Sequence, residues 1–578
     1  MHDLVIRDGV VVDGTGRTAF QADLAIDGGT IVAVGRVDER GHREITADGA
    51  IVAPGWVDIH THYDGQVTWD GLLAPSSAHG VTTAVMGNCG VGFAPARTGH
   101  DDRAGLIELM EGVEDIPGAA LAEGLPWDWE TFPDYLNALD RRSRTIDIGA
   151  QLPHASLRAY VMGHERGGDH EAEPTDAELA MMHEVAIDAL EAGALGFASS
   201  RTVNHRSRSG KLIGSVTATE RELAAIGSAL GETGRGVFQF ASDFDDVDAE
   251  FDLISSLARR YRRPVSVSLA QHDRDPDRWR RVLTRIEQAA AEGIVAKGQV
   301  CSRAIGLMLS QEGTMNPFEF CPSYAALASL AVPERARRMR DPQTKQQILS
   351  EYGAETDRVR RRRMVGFTKM FVLGDPPDYE QPAERSVANL AAARGVEAKE
   401  LLYDALADGD GRGMVYYAFL NYTDFNLDTV HTMMSSDHTL FGLSDGGAHV
   451  GTVCDASFPT YNLVHWVRDR SRGGRLGLEF VVRKQCRDNA RYIGLLDRGV
   501  IGPGYKADLN VIDLDGMRLH PPRFAHDLPA GGRRLLQDVS GYLYTVQTGQ
   551  VTFEAGEPTG AMPGTLVRGP QPEPDQGR

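Results

Sequence analysis

Gly55-Trp56-Val57-Asp58-Ile59-His60-Thr61-His62, followed after Ala78-His79-Gly80 by Val81-Thr82-Thr83-Ala84-Val85-Met86-Gly87-Asn88-Cys89-Gly90, reads as two successive strands that each end in residues able to hold a metal. Side chains alternate along a strand, so His60 and His62 project from one face, about 7 Å apart along the backbone. Two imidazoles so placed can meet one ion. A lone His-X-His is a weak signal, because histidines two apart on a strand are often structural. Its weight depends on the rest of the chain.

On the N-terminal side, residues 1–53 set short apolar runs (Leu4-Val5-Ile6, Val10-Val11-Val12, Leu24-Ala25-Ile26, Ile31-Val32-Ala33-Val34) between Asp-Gly and Gly-Gly turns, the pattern of antiparallel strands. The same texture returns at Gly502 to Asp513, Tyr542-Leu543-Tyr544-Thr545-Val546 and Val551-Thr552-Phe553. Neither end can close a core alone. The two are expected to pair into one small β-sandwich domain, residues 1–53 with 498–568, leaving the Pro-, Gly- and charge-rich tail 569–578 disordered.

Between them, over 54–497, short apolar runs alternate with longer amphipathic helices, which predicts a parallel α/β architecture. Strand ends are expected at His62, Cys89, His154, Ser200, Ala241, Gln271, Val300 and Asp445, giving a (β/α)8 TIM-like barrel whose site gathers at those ends. Residues 301–438 separate the last two strands and are expected to form a helical insertion or lid. Its basic runs, Arg335-Ala336-Arg337-Arg338 and Arg358-Val359-Arg360-Arg361-Arg362-Arg363, read as solvated helix faces rather than a patch for an anionic partner.

With 578 residues, 42% apolar and 24% charged, the chain has the material for a large core in more than one unit. Acidic residues outnumber basic ones 81 to 60, a formal charge of −21, which argues against general binding of nucleic acid or of an acidic membrane. No apolar run approaches the roughly 20 residues of a membrane span, and Met1-His2-Asp3-Leu4 does not begin a basic-then-apolar leader; a cytoplasmic location is expected. The cysteines Cys89, Cys301, Cys321, Cys454 and Cys486 are scattered and odd in number, which argues against a disulfide framework. Only Cys89 stands beside other candidate ligands.

Taken together, Pro54-Gly55-Trp56-Val57-Asp58-Ile59-His60-Thr61-His62, Gly80-Val81-Thr82-Thr83, Gly87-Asn88-Cys89-Gly90, Ser444-Asp445-Gly446 and Pro503-Gly504-Tyr505-Lys506-Ala507-Asp508-Leu509 resemble the amidohydrolase superfamily and, within it, the D-aminoacylase or N-acyl-D-amino-acid deacylase family. The resemblance implies a barrel with a β-sandwich built from both chain ends. At Cys89 it implies a cysteine metal ligand in place of the carboxylated lysine of other amidohydrolases, and it brings Asp445 to the metal. These residue types suit the chemistry. Zinc is served by imidazole nitrogen and thiolate sulfur and keeps a position for water, which it acidifies while polarising the scissile carbonyl. An aspartate at the last strand can take the water's proton and pass it to the leaving amine. His60, His62, Cys89 and Asp445 are the expected ligands, with Asp445 also the catalytic base and acid.

Departures from the family narrow the expectation. D-aminoacylases add histidines at the ends of strands five and six, where this chain reads Phe238-Gln239-Phe240-Ala241-Ser242-Asp243 and Ser266-Val267-Ser268-Leu269-Ala270-Gln271-His272. One zinc ion per chain is expected; His272, displaced beyond strand six, reads as a loop histidine, with partial rescue of a second site as the alternative. The family's carboxylate-gripping basic residues are replaced by Asp273-Arg274 and by Ala456-Ser457-Phe458-Pro459-Thr460. Arg201 is the substitute cation, with His205, Gln299 and His449 as further substrate-binding candidates; Arg206 reads as a surface residue and His154 as a strand-end hydrogen-bond donor. The expected reaction is hydrolysis of a linear amide in a small molecule, an N-acyl-D-amino acid or related N-acyl amine. Cyclic-amide hydrolysis, as in dihydropyrimidinases, needs a lysine on strand four, where Ser199-Ser200 stand. A barrel that has become a binding protein or non-hydrolytic enzyme would explain the missing histidines but not four retained donors.

Overall fold

Parallel strands flanked by helices are covered on both faces, so they come from short, continuously apolar runs. In the computed structural model, which describes residues 1–353 and 366–575, these are β1 (Trp56–Asp58), β2 (Val81–Met86), β3 (Asp147–Ala150, resuming as Leu152–Pro153), β4 (Gly196–Arg201), β5 (Val237–Ser242), β6 (Val265–Ser268), β7 (Ala296–Val300) and β8 (Thr439–Phe441). Each pairs in parallel with the next. The ring closes beyond the named ends of β8 and β1, where Thr61 bridges Gly446 in parallel, the His62 N–H donates to the Gly446 carbonyl at 2.7 Å and the Asp445 N–H donates to the His60 carbonyl at 3.2 Å. The expected (β/α)8 barrel is formed.

Amphipathic helices cover the ring. Val247–Tyr261 turns Val247, Phe251, Ile254, Leu257 and Ala258 inward, each large side chain contributing roughly 1.5–3 kcal/mol by burial. Asp176–Ala192 starts from a capping box, in which Thr175 accepts from the Glu178 N–H and Glu178 accepts from the Thr175 N–H. Among the described residues no helix is long and apolar enough to cross a membrane.

The chain ends meet edge to edge. Ile51–Pro54 pairs antiparallel with Leu509–Ile512 inside one nine-stranded sheet, and Leu4, Ile6, Leu24, Val52, Leu509, Val511 and Val546 share its core. The hairpin Arg518–Leu528 with Gly532–Ser540 departs from the expected domain boundary: it leaves this sheet and buries Leu519, Leu528 and Leu535 with the barrel core. The tail also differs from expectation. Gln571 exchanges backbone hydrogen bonds with Gly494 and Leu496, and Glu573 pairs with Arg491 at 3.2 Å, so this stretch is tied to the barrel surface while Pro570, Pro572, Glu573 and Asp575 stay exposed; 576–578 fall outside the described residues.

The insertion is mixed rather than helical. Ile305–Leu309, Val415–Leu420 and Met370–Val372 form a three-stranded antiparallel sheet, on which Val332–Met339, Pro342–Glu351, Val387–Arg394 and Ala398–Ala407 pack around Phe318, Met339, Ile348 and Tyr403. Arg337 and Arg338 sit on an exposed face beside Glu334, while Arg335 turns inward to the Gln311 carbonyl and the Tyr324 hydroxyl. The Arg358–Arg363 run lies outside the described residues.

Asp147 at the start of β3 joins barrel to terminal segments: it accepts from Arg498 at 2.7 Å, Lys506 at 2.5 Å and the Thr565 N–H at 2.8 Å. Burial alone would raise its pKa, but Lys506 and Arg498 outweigh burial and hold it below the ordinary 3.8. Its stabilising contribution is therefore present above that value and lost as pH falls through the lower folded-state one. Asp147→Asn, which removes one carboxylate from Arg498 and Lys506 and leaves them Asp497 and Asp508, is expected to cost about 1.5–3 kcal/mol at pH 7. In urea titrations the gap from wild type should shrink as pH falls from 5 towards 2; a gap that does not change with pH would refute this account.

Candidate metal centre

The closing seam positions the candidate donors. Beyond Asp58 the chain stays extended, so His60 and His62 both point into the barrel and are buried. The Asp58 carboxylate accepts the His60 N–H at 3.1 Å and the Ser444 hydroxyl at 2.5 Å, tying the β1 extension to the β8 extension. After β2 the chain turns inward through Gly87, φ 81°, where a side chain would lie 2.3 Å from the Gln151 carbonyl oxygen. Asn88 then donates to the Thr61 and Val85 carbonyls at 3.2 and 2.9 Å, and Cys89 follows with φ 53°. Leu443, Asp445 and His449 also have left-handed backbones, at φ 56°, 50° and 49°. Such residues cost of order 1–3 kcal/mol each and concentrate at functional sites.

The ligand atoms of His60, His62 and Cys89 lie within 4.8 Å of one another. Cys89 Sγ is 3.3 Å from His60 Nε2, while Asp445 Oδ1 is 3.4 Å from His60 Nε2 and 3.6 Å from His62 Nε2. Bonds of about 2.0 Å to nitrogen and 2.3 Å to sulfur around a tetrahedral ion put neighbouring donors about 3.5 Å apart. The donors fit a divalent ion such as zinc. His60 Nδ1 lies 2.6 Å from Gln299 Oε1, which accepts only if Nδ1 carries the proton, so Nε2 presents its lone pair to the other ligands.

The electrostatics favour a cation. Burial pushes the Cys89 thiol up to about 11, partly offset by His62, and pushes His60 down to about 4 against the pull of Asp445. Burial works against the His62 imidazolium, yet Glu114 with Asp445 and Cys89 holds its pKa well above normal. Asp445 is held well below the carboxylate range: burial opposes this, and both ligand histidines outweigh it. A bound divalent ion supplies the positive charge that keeps a coordinating thiol deprotonated.

The family described as "Amidohydrolase family" matches residues 43–553, from the terminal sheet through the barrel and back. The chain belongs to the amidohydrolase family. It is 26% identical over 518 residues to the D-aminoacylase of Alcaligenes xylosoxydans xylosoxydans, spanning 88% of each chain. The structure of N-acyl-D-glutamate deacylase from Bordetella bronchiseptica, complexed with zinc and a phosphonate inhibitor, matches with a TM-score of 0.64 at 24% identity, covering 98% of this chain and 99% of that one. A D-aminoacylase structure concerned with its binuclear metal center gives 0.66 at 23% identity, covering 98% and 100%. These likenesses carry the fold, and family membership makes the protein a hydrolase of carbon–nitrogen bonds other than peptide bonds.

Other residues singled out in this amidohydrolase fall into place unevenly. Gln299 is spent on His60 Nδ1 and on the Ser266 hydroxyl, at 2.9 Å, so it is not free to grip a substrate. Arg201 is likewise corrected: its guanidinium forks onto Glu250 at 2.5 and 3.1 Å and donates to the Ala218 carbonyl at 2.6 Å, so its charge is already paired within the fold. His205 lies near the centre, half-buried against Ser200 Oγ at 2.8 Å, its pKa pushed to about 3 by burial and then by His449 and His62. His449, partly exposed, stands 3.5 Å from Glu114. Arg206 is exposed; His154 is locked between Ser199 and Glu222, and His272 bridges Asp275 and Leu420 in a loop outside the ligand cluster. Glu114, which no periodicity or motif marks, reaches His62 Nδ1 at 3.3 Å. Gln239, where an added histidine was sought, accepts the Cys89 N–H at 2.9 Å.

Protein purified without chelators is expected to carry about one zinc per chain by elemental analysis, and Cys89→Ala to lose most of it while still folding. Full zinc retention in that variant would remove Cys89 from the ligand set.

Proposed function

We propose that this amidohydrolase cleaves linear N-acyl amides, of the N-acyl-D-amino-acid class, at one zinc ion held by His60, His62, Cys89 and Asp445. The convergence of both Nε2 atoms and the Cys89 sulfur beside Asp445 Oδ1 carries the reading. The ion would supply a water acidic enough to attack near neutral pH and would polarise the amide carbonyl. Asp445 is the most exposed of the four donors, at 22%, and so faces arriving substrate. Its carboxylate takes the attacking water's proton as the C–O bond forms, then returns it to the amine nitrogen as the C–N bond breaks, giving a carboxylate and a free amine.

A single ion is supported by the far wall, where the amide of Gln239 and the hydroxyl of Ser266 stand in place of further imidazoles and are already hydrogen-bonded to Cys89 and Gln299. A linear substrate is supported by β4, whose Ser199 and Ser200 are occupied by His154 and His205. With Arg201 paired, His205 and His449 remain as the substrate-facing groups.

A panel of N-acyl D- and L-amino acids, assayed for released amine with zinc present, is expected to show turnover of D-enantiomers. Asp445→Asn should lower kcat/KM by about 10²–10⁴. Failure of every N-acyl amino acid to release amine from zinc-loaded enzyme would sink the assignment.

A further inference from the structure

Among the buried acids that the hydrolytic scheme above leaves unused, Glu114 stands against a proposed ligand ring. Glu114 ends the helix His100–Glu114 and is 1% exposed. Three terms oppose a carboxylate there: loss of hydration, the negative end of the helix dipole, and the adjoining Asp115. A carboxyl buried in such a place calls for polar partners. Here the two oxygens divide between two rings. Oε1 is 3.3 Å from His62 Nδ1, and Oε2 is 3.5 Å from His449 Nε2. The Glu114 backbone carbonyl also accepts the His449 N–H, and His449 is turned to it by a left-handed backbone, φ 49°. Among the described residues, His62 Nδ1 makes no aligned hydrogen bond, and Glu114 Oε1 is the carboxylate oxygen within reach of it.

His60 offers the internal comparison, because its Nδ1 rests on a neutral amide, Gln299, at 2.6 Å. The two metal-facing imidazoles are thus backed by different chemistry, one neutral and one anionic. A carboxylate behind a ligating imidazole fixes the ring and raises its basicity, and loss of such a partner typically weakens metal binding 10–100-fold.

We propose that Glu114 is a positioning residue of the metal centre, holding the His62 ring through one carboxylate oxygen and His449 through the other. The β1 extension carrying His62 and the loop carrying His449 thereby meet at one helix end, each ring in contact with the same acid. This rests on the assignment of His62 as a metal ligand.

Zinc affinity, measured by competition with a chromophoric chelator on protein shown to be folded by circular dichroism, separates the possibilities. Glu114→Gln keeps shape and an acceptor but removes the charge, and is expected to bind zinc about 10–100-fold more weakly. Glu114→Asp, one methylene shorter and unable to span both rings, should fall between it and wild type, and serves if the glutamine variant does not fold. Affinity within threefold of wild type in folded variants, even with a lowered melting temperature, would assign Glu114 to packing and overturn the proposal while leaving the metal site intact. Absence of zinc binding by wild type would overturn the metal assignment and this role together.

Discussion

Two backbone hydrogen bonds, from His62 to Gly446 and from Asp445 to His60, close the barrel, and the same residues are among the proposed metal donors. The ring therefore cannot be completed without bringing the first and last strand extensions into the register that sets His60, His62 and Asp445 together. Side-chain direction reverses with every residue of a strand, so a slip of one position between these extensions would turn both imidazoles away from the axis. The Asp58 to Ser444 hydrogen bond pins the register from the side-chain level. Cys89 joins the group by a separate route, through a glycine turn and the Asn88 amide.

The polar groups around this seam are unevenly charged. Asp58, Asp64, Cys89, Glu114 and Asp445 crowd the side formed by β1, β2 and β8, where burial raises Asp58 to about 6 and Asp64 to about 7. The side formed by β5, β6 and β7 answers with the uncharged Gln239, Ser266 and Gln299. A buried excess of acids on one wall is costly by itself and is relieved by a cation at its centre. The neutral groups opposite agree with the single ion proposed.

Much of this was legible in the residues. Short apolar runs separated by amphipathic helices leave few alternatives to a parallel barrel, and the His-X-His, Cys and Ser-Asp-Gly pieces mark strand ends that the fold does bring together. What escaped depends on long-range pairing or side-chain direction. The insertion's sheet joins segments as distant as Ile305 and Leu420, and no local pattern reports such a partner. Arg201 looks like a free cation until Glu250 folds against it, and Gln299 looks like a pocket residue until β7 aims it at His60. Glu114 sits at a helix end where its acidic character carries no signal of depth.

The long hairpin of residues 518–540 touches three separate stretches around the barrel mouth. Arg534 donates to the Ala74 carbonyl after β1, Leu535 to Val450 after β8, and Gln537 to Tyr379 in the insertion. Every proposed ligand precedes residue 446, yet the loops that hold them are braced by a segment made almost a hundred residues later. During synthesis, which releases a chain from its N-terminus at about 5–20 residues per second, the donors emerge several seconds before their brace. The proposed donors thus come earlier in the chain than the hairpin that braces the loops around them.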